Sequence, residues 1–315
     1  MRAVPEFEKI VVITKKTWLE ELIERFGTAG QARFYLEHMG IAFDQYAGAH
    51  EAYTRALATV KDAIPEGVRT QFVERSFVPT FSFGDHDLVI TLGPDGLVVN
   101  TAKYLSVQPI LAVNPDPERM DGILLPFTAQ RAGAAIRRAL REELLLKSIS
   151  MAKAELNDGQ ALYGVNDLFI GQRTHVSARY HLRFRDAAED QSSSGIIVST
   201  GAGSTGWFRS IITGAAAVVE ERAGGRKLRG VRERYRFDWD AEYLYFSVRE
   251  PFVSKVSAAG LVFGRIEAAE HLEVVSQMPQ NGVIFSDGIE ADCLAFSSGA
   301  IARIGLAEKK VRLIV

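Results

Sequence analysis

The sequence predicts an α/β N-terminal domain with a parallel sheet, followed by an all-β-rich C-terminal domain built as a layered sandwich. Three observations predict this order. Up to about residue 146, short apolar runs alternate with helical patterns, which is how strands buried on both faces of a parallel sheet read. From there on strand-like runs dominate, separated by turn residues. The 315 residues, 47% hydrophobic and 24% charged, supply a sizeable core.

Ile10-Val-Val-Ile13 is the first buried-strand candidate. Thr17 is a natural N-cap, with Glu20 at the capping-box position, for a helix running towards Phe26. Helical patterns follow at Gln31–Met39 and Ala49–Ile64. Asp87–Leu92 is a continuous apolar strand entering Gly93-Pro94-Asp95-Gly96, and a helix-like stretch spans Leu97–Tyr104. The strand Pro109–Val113 ends at Asn114-Pro-Asp-Pro117, where two prolines enforce a loop. A helix is expected over Thr128–Leu146.

The β-rich half reads as strands at Lys147–Leu156, Ala161–Ile170, Ala178–Phe184, Gly195–Thr200, Tyr243–Val248, Gly260–Arg265, Leu272–Val275, Gly282–Ser286 and Ala300–Leu306. One helix, Trp207–Glu221, interrupts them, and the charged, glycine-containing stretch Arg222–Arg236 reads as a solvated loop. The expected domains are 1–146 and 147–301, with a tail over about 302–315 packing back on the first.

Net charge is −2, so no bulk attraction to nucleic acid or to an anionic membrane is expected. Cys293 is the only cysteine, which rules out an intrachain disulfide. No apolar run approaches bilayer-spanning length, and Glu6 and Glu8 stand where a signal peptide needs an apolar region. A cytoplasmic protein is the expectation.

The most informative segment is Gly195-Ile-Ile-Val-Ser199-Thr200-Gly-Ala-Gly203-Ser204-Thr205-Gly206-Trp207. A strand, a glycine-rich turn and a helix start make a cradle of backbone N–H groups suited to phosphate or ribose oxygens. Ser199, Thr200, Ser204 and Thr205 add hydroxyls that both donate and accept. The literal Gly201-x-Gly203-x-x-Gly206 also fits the dinucleotide fingerprint. That motif needs a second strand closed by an acidic residue roughly 20 positions on. Here Glu220 and Glu221 end the helix and a charged stretch follows, so a Rossmann dehydrogenase is set aside. A glycine-rich turn without a ligand is the plain alternative.

Gly93-Pro94-Asp95-Gly96 lies beyond the C-terminal end of a parallel strand, where ligands of open α/β sheets gather. A carboxylate there can take a proton from a substrate hydroxyl or hold a metal ion on a polyphosphate. Pro-Asp-Gly is also among the commonest turn sequences.

Four segments in order resemble the NAD kinase family, within the superfamily that also holds diacylglycerol and sphingosine kinases. Gly93-Pro94-Asp95-Gly96-Leu97 matches the family's Gly-Gly-Asp-Gly-Thr loop, and Gly122-Ile-Leu-Leu-Pro126-Phe127 its Gly-Phe-Leu-Thr-Pro-Phe. Asn166-Asp167 matches the Asn-Glu pair. Ser194-Gly195 with Thr200–Trp207 matches the Asp-Gly…Thr-Pro-Thr-Gly-Ser-Thr-Ala-Tyr signature, and Ser286-Asp287-Gly288 resembles the late Asp-Gly turn.

The resemblance implies transfer of a phosphoryl group from ATP to the 2′-hydroxyl of NAD, between an α/β and a β domain, with Mg²⁺ on the phosphates. Asp95 would be the general base, and Gly93 and Gly96 would admit the donor phosphates. Asn166, Asp167, Ser199, Thr200, Gly203, Ser204, Thr205, Trp207 and Asp287 would bind the dinucleotide. A homodimer or homotetramer is also implied.

The sequence departs from the family at Pro94, where a glycine stands, and at Leu97, where a threonine hydroxyl is lost. Proline fixes φ near about −65° and removes a donor, so a loop needing positive φ there cannot form. These changes motivate a catalytically silent dinucleotide sensor as an alternative. Ile123, Ser194 and Gly201-Ala202 depart on the acceptor side and motivate a kinase for another hydroxyl: a sugar, nucleoside or lipid.

Other features read as structural. His86 is expected in solvent, and His175 and His181 lack the spacing of a known zinc site. His50-Glu51 lacks the second histidine of a metalloprotease. Arg131, Arg137, Arg138 and Arg141 read as a solvated helix face, and Cys293 as a small core residue.

Overall fold

Apolar runs bounded by turns become the inner parallel strands of this protein, a computed structural model that describes residues 7–141, 143–225 and 229–315. Two units are present, one of Met1–Lys147 with Arg312–Val315 and the other of Ser148–Val311. The first runs β1 (Lys9–Thr14), α1 (Trp18–Phe26), α2 (Ala29–His38), α3 (Phe43–Ala63), β2 (Thr70–Glu74), β3 (Asp87–Leu92), α4 (Asp95–Ala102), β4 (Pro109–Asn114), β5 (Phe127–Thr128) and α5 (Ala129–Leu140). Its sheet has the order β2-β1-β3-β4, every pair parallel. Arg312 and Leu313 add a further parallel partner beside Pro109 and Ile110.

All residues of β3 and β4 are buried, as apolar strands covered on both faces must be. On one face α3 and α5 pack Ala56, Val60, Ala132 and Ile136 over Ile10, Ile90 and Leu111. Thr17 closes a capping box with Glu20, its backbone N–H donating to the Glu20 carboxylate at 2.7 Å. The helix expected to reach Leu146 ends at Leu140, because Leu144 and Leu146 turn inward onto this core.

The second unit carries β6 (Leu146–Leu156), β7 (Ala161–Gly164), β8 (Asp167–Gln172), β9 (Ala178–Phe184), β10 (Ala187–Ser193), β11 (Ile196–Ser199), α6 (Trp207–Arg222), β12 (Tyr243–Val248), β13 (Phe263–Glu267), β14 (Leu272–Ser276), β15 (Gly282–Ser286), β16 (Ile289–Ala295) and β17 (Ile301–Ile314). One layer is antiparallel, ordered β13-β12-β11-β8-β15-β16. The other layer holds β10-β9-β14-β17, with β6 and β7. Alternate residues Tyr180, Leu182 and Phe184 of β9 meet Leu168, Ile170, Val198 and Phe246 in one core, the period-2 burial of a sandwich.

The run Ala161–Ile170, read as one strand, is two, broken at Val165-Asn166. The stretch Arg222–Arg236 is not all loop. A short helix spans Arg229–Glu233, and Arg232 pairs with Glu220 at 2.6 Å. Residues 226–228 of that stretch lie outside the described residues.

Candidate functional site

In the first unit the loop after β3 is shaped by packing rather than by positive φ. Pro94 has φ −71° and ψ 169°, values that proline adopts without strain, and α4 begins at the next residue. Neither Gly93 nor Gly96 has positive φ. The expected conflict between Pro94 and the loop therefore does not arise. Leu97, read as a lost hydroxyl, is buried, and a Cβ on Gly93 would stand 2.8 Å from its Cδ2. Glycine at 93 is what lets Leu97 close over the loop. The helix-like stretch thus starts at Asp95 rather than Leu97, which puts the carboxylate in the first turn of α4.

Asp95 reaches across to the turn after β4. Its Oδ1 accepts the Leu124 N–H at 2.8 Å and its Oδ2 accepts the Ile123 N–H at 3.1 Å. The same turn is held from below by Asn114, whose amide donates to the Met120 carbonyl at 2.9 Å. Gly122 takes φ +64° there, and a Cβ would stand 2.8 Å from Asn114 Nδ2. Ile123 itself is exposed.

In the second unit the break before β8 is imposed by Asp287. Its carboxylate accepts N–H groups from Val165 at 3.1 Å, Asn166 at 2.7 Å and Asp167 at 3.3 Å. Asp287 and Gly288 both take positive φ, a tight turn between β15 and β16. Asp167 is buried beside it. Burial first, and the Asp287 charge second, push the Asp167 carboxyl up to about 7.

The glycine-rich turn closes on the same break. The Thr200 N–H donates to the Asn166 carbonyl at 2.9 Å, and the Thr200 hydroxyl donates to the Val165 carbonyl. The Ser204 hydroxyl donates to the Gly201 carbonyl at 2.7 Å, and that of Ser199 to the Thr200 carbonyl at 3.2 Å. Ser199, Thr200, Gly203 and Ser204 are all buried. Expected to offer their hydroxyls to a ligand, Ser199, Thr200 and Ser204 instead donate them to backbone carbonyls of the turn and of the break. Asn166, Thr205 and Trp207 keep partial exposure.

Gly201 and Gly203 are close-approach positions. A Cβ at Gly201 would stand 1.9 Å from the Asp238 carbonyl oxygen, and one at Gly203 2.0 Å from that of Asn166. Gly203→Ala is expected to lower unfolding free energy by about 1–3 kcal/mol. Thermal unfolding checks it, and an unchanged midpoint would mean that the two loops are not this close.

Trp207 stacks on Phe169 at 5.9 Å, with the Arg249 guanidinium 5.3 Å from the indole. They border a cavity of about 160 Å³ that also meets Arg173 and Cys293. Sequence reasoning missed Phe169 and Arg249, since an aromatic in an apolar strand and an arginine at a strand end carry no local signal. Cys293 is half-buried against the small core of Phe169, Ile197 and Val283, its sulfur 3.0 Å from Arg173. His86 and His175 are exposed, and His181 pairs with Asp190 at 3.0 Å. Arg131, Arg137, Arg138 and Arg141 face solvent.

No protein-family model matches the chain. Curated relatives do. Mitochondrial NAD kinase 2 of Rattus norvegicus is 25% identical over 316 residues, covering 79% of this chain and 74% of the relative. The NAD kinase of Geobacter sp. (strain M21) is 29% identical over 165 residues, 48% of this chain and 54% of the relative. Among solved structures, yeast NADH kinase complexed with NADH superposes with TM-score 0.57 over 98% of this chain and 83% of that one, at 14% identity. An Archaeoglobus fulgidus NAD kinase in complex with ATP gives 0.56 over 97% and 93%, at 15% identity. Sequence likeness over most of the chain and fold likeness over nearly all of it agree: the chain is similar to NAD kinases in sequence and shares their fold.

Proposed function

We propose that this protein transfers the γ-phosphoryl group of ATP to the 2′-hydroxyl of the adenosine ribose of NAD or NADH. The observation that carries the reading is Asp95, a carboxylate at the first turn of α4 whose two oxygens are fixed by Ile123 and Leu124. Structural neighbours bound to NADH and to ATP support the two substrates.

In this reading Asp95 takes the proton of the 2′-hydroxyl, the oxygen attacks the γ-phosphorus, and ADP leaves with the bridging oxygen's electrons. Such transfer is mostly positioning and charge neutralisation. Gly93 and Gly96 bring backbone close to the donor phosphates, and nothing stands within 4 Å of a Cβ built on Gly96. Asn166, Asp167, Thr205 and Trp207 bind the dinucleotide, while Asp287, Ser199, Thr200, Gly203 and Ser204 hold the loops that carry them. Mg²⁺ enters as the ATP complex. Its place on the phosphates follows from the resemblance, where it would neutralise their charge.

A homodimer or homotetramer and a cytoplasmic location are proposed from the resemblance and the sequence. No helix among the described residues is long and apolar enough to cross a membrane. The sensor alternative loses its motivation with Pro94 and Leu97 accommodated.

The test is to incubate purified protein with ATP, Mg²⁺ and NAD or NADH and to look for the phosphorylated dinucleotide by chromatography. Product that disappears on adding a chelator and returns with Mg²⁺ is expected. Dinucleotide binding with no product under any divalent metal would restore the sensor reading. Absence of both would point to another hydroxyl acceptor.

A further inference from the structure

We propose that Lys15 and Trp18 form the donor-nucleotide subsite of this kinase, the Lys15 ammonium on the polyphosphate and the Trp18 indole on the base. The proposal rests on the reading of the protein as an ATP-dependent phosphotransferase and names the residues that hold its donor.

Sheet register brings Lys15 to the phosphate loop. β1 and β3 are adjacent and parallel, with Ile13 beside Thr91. Continuing that register two residues sets Lys15 beside Gly93. A hydrogen-bonded bridge fixes the alignment: the Lys15 N–H donates to the Tyr53 hydroxyl at 2.9 Å, which donates to the Leu92 carbonyl at 3.3 Å. Burial pushes the Tyr53 phenol up to about 12, so it stays protonated and keeps both roles near neutral pH. Ligands of open α/β sheets collect at this carboxyl edge.

The connection from β1 to α1 is short and braced. Thr17 closes the capping box and its hydroxyl meets His50 Nδ1 at 2.9 Å. The two lysines before it are placed differently. Lys16 pairs with Glu24 at 2.6 Å, whereas Lys15 enters no ion pair among the described residues. The Lys15 ammonium lies 5.3 Å from the Trp18 ring centroid. A cation held by an indole is oriented but keeps donors for phosphate oxygens.

Trp18 is 67% exposed at the first position of α1, while the next residue, Leu19, is the one that fills the core. The capped helix start therefore presents a large aromatic face to solvent beside a cation and a phosphate loop. That combination suits a nucleoside triphosphate, whose base stacks and whose phosphates need positive charge. It does not suit an apolar partner, which would leave the ammonium without a counter-charge.

The experiment is calorimetric titration of the full chain with Mg²⁺-ATP, with tripolyphosphate as a probe that lacks a base, and with NAD. Lys15→Ala is expected to weaken ATP and tripolyphosphate roughly tenfold to a hundredfold, with Lys15→Arg recovering most of the loss. Trp18→Ala is expected to weaken ATP about tenfold and to leave tripolyphosphate within about twofold. NAD affinity stays within about twofold in all three, and KM for ATP rises while KM for NAD holds. ATP bound equally by the unsubstituted chain and by Lys15→Ala, each with an unchanged melting midpoint, would overturn the subsite alone. A Trp18→Ala variant that loses tripolyphosphate as well would overturn the division between base and phosphate. No ATP binding by the unsubstituted chain would remove the donor reading, and the subsite with it.

Discussion

Asp95→Asn is expected to slow phosphoryl transfer by about 10²–10⁴-fold, the usual contribution of a positioned general base. Asparagine has nearly the same shape but cannot take up the 2′-hydroxyl proton. The substitution also has a structural consequence that the geometry makes explicit. Each Asp95 oxygen accepts one backbone N–H, from Leu124 at 2.8 Å and Ile123 at 3.1 Å. An amide can accept only one of them and turns its own NH₂ towards the other, which destabilises the turn by about 1–3 kcal/mol. The Ile123 side is exposed to water, so the lower end of that range is expected. Single-turnover rate, dinucleotide affinity by calorimetry and melting midpoint are read together. A rate within about tenfold of the unsubstituted enzyme would remove Asp95 from the role of base. A large loss of dinucleotide affinity with an intact midpoint would make it a binding group instead.

The strands that the sequence showed most clearly are those with one unambiguous pattern. Asp87–Leu92, Ala178–Phe184, Tyr243–Val248 and Gly282–Ser286 occur with the expected bounds, the first wholly buried and the second alternating. β10 escaped notice because Ala187–Ser193 is polar along nearly its whole length. It is a strand through its pairing with β9, a partner that no local pattern encodes. The break at Val165-Asn166 was hidden for a related reason. Residues on both sides are apolar, and what breaks the run is a carboxylate more than a hundred positions later. The site shows the same division. Turn chemistry around Gly93 and Thr200 was legible, because glycine and hydroxyl residues announce close backbone approach. Which way each hydroxyl points was not, since Thr200 and Ser204 find their acceptors only after Asn166 and Gly201 are folded beside them. Leu97 is the clearest instance: by type it removes a donor, and by position it is the residue that Gly93 makes room for.

Asp167→Asn is expected to make the protein more stable above neutral pH while leaving its stability near pH 4 almost unchanged. The Asp167 carboxyl is raised from the ordinary 3.8 to about 7, chiefly because burial penalises the charged form and secondarily because Asp287 faces it. The folded state then binds the proton more tightly than the unfolded chain does, so unfolding free energy falls as pH rises. The contribution is fully present below about pH 4, is lost progressively towards pH 7, and is gone above it. A shift of about three units corresponds to roughly 4 kcal/mol at the upper bound. For a chain of this size that is a midpoint difference on the order of 10 °C between the variant and its parent at pH 8. A buried carboxylate that weakens its own fold at working pH is the kind of group that binding sites carry. The variant is therefore expected to gain stability and to lose dinucleotide affinity together. Parallel melting curves for the two proteins between pH 4 and 9 would mean that Asp167 ionises without penalty. The Val165–Asp167 break would then have to be open to water, which the three N–H groups gathered on Asp287 argue against.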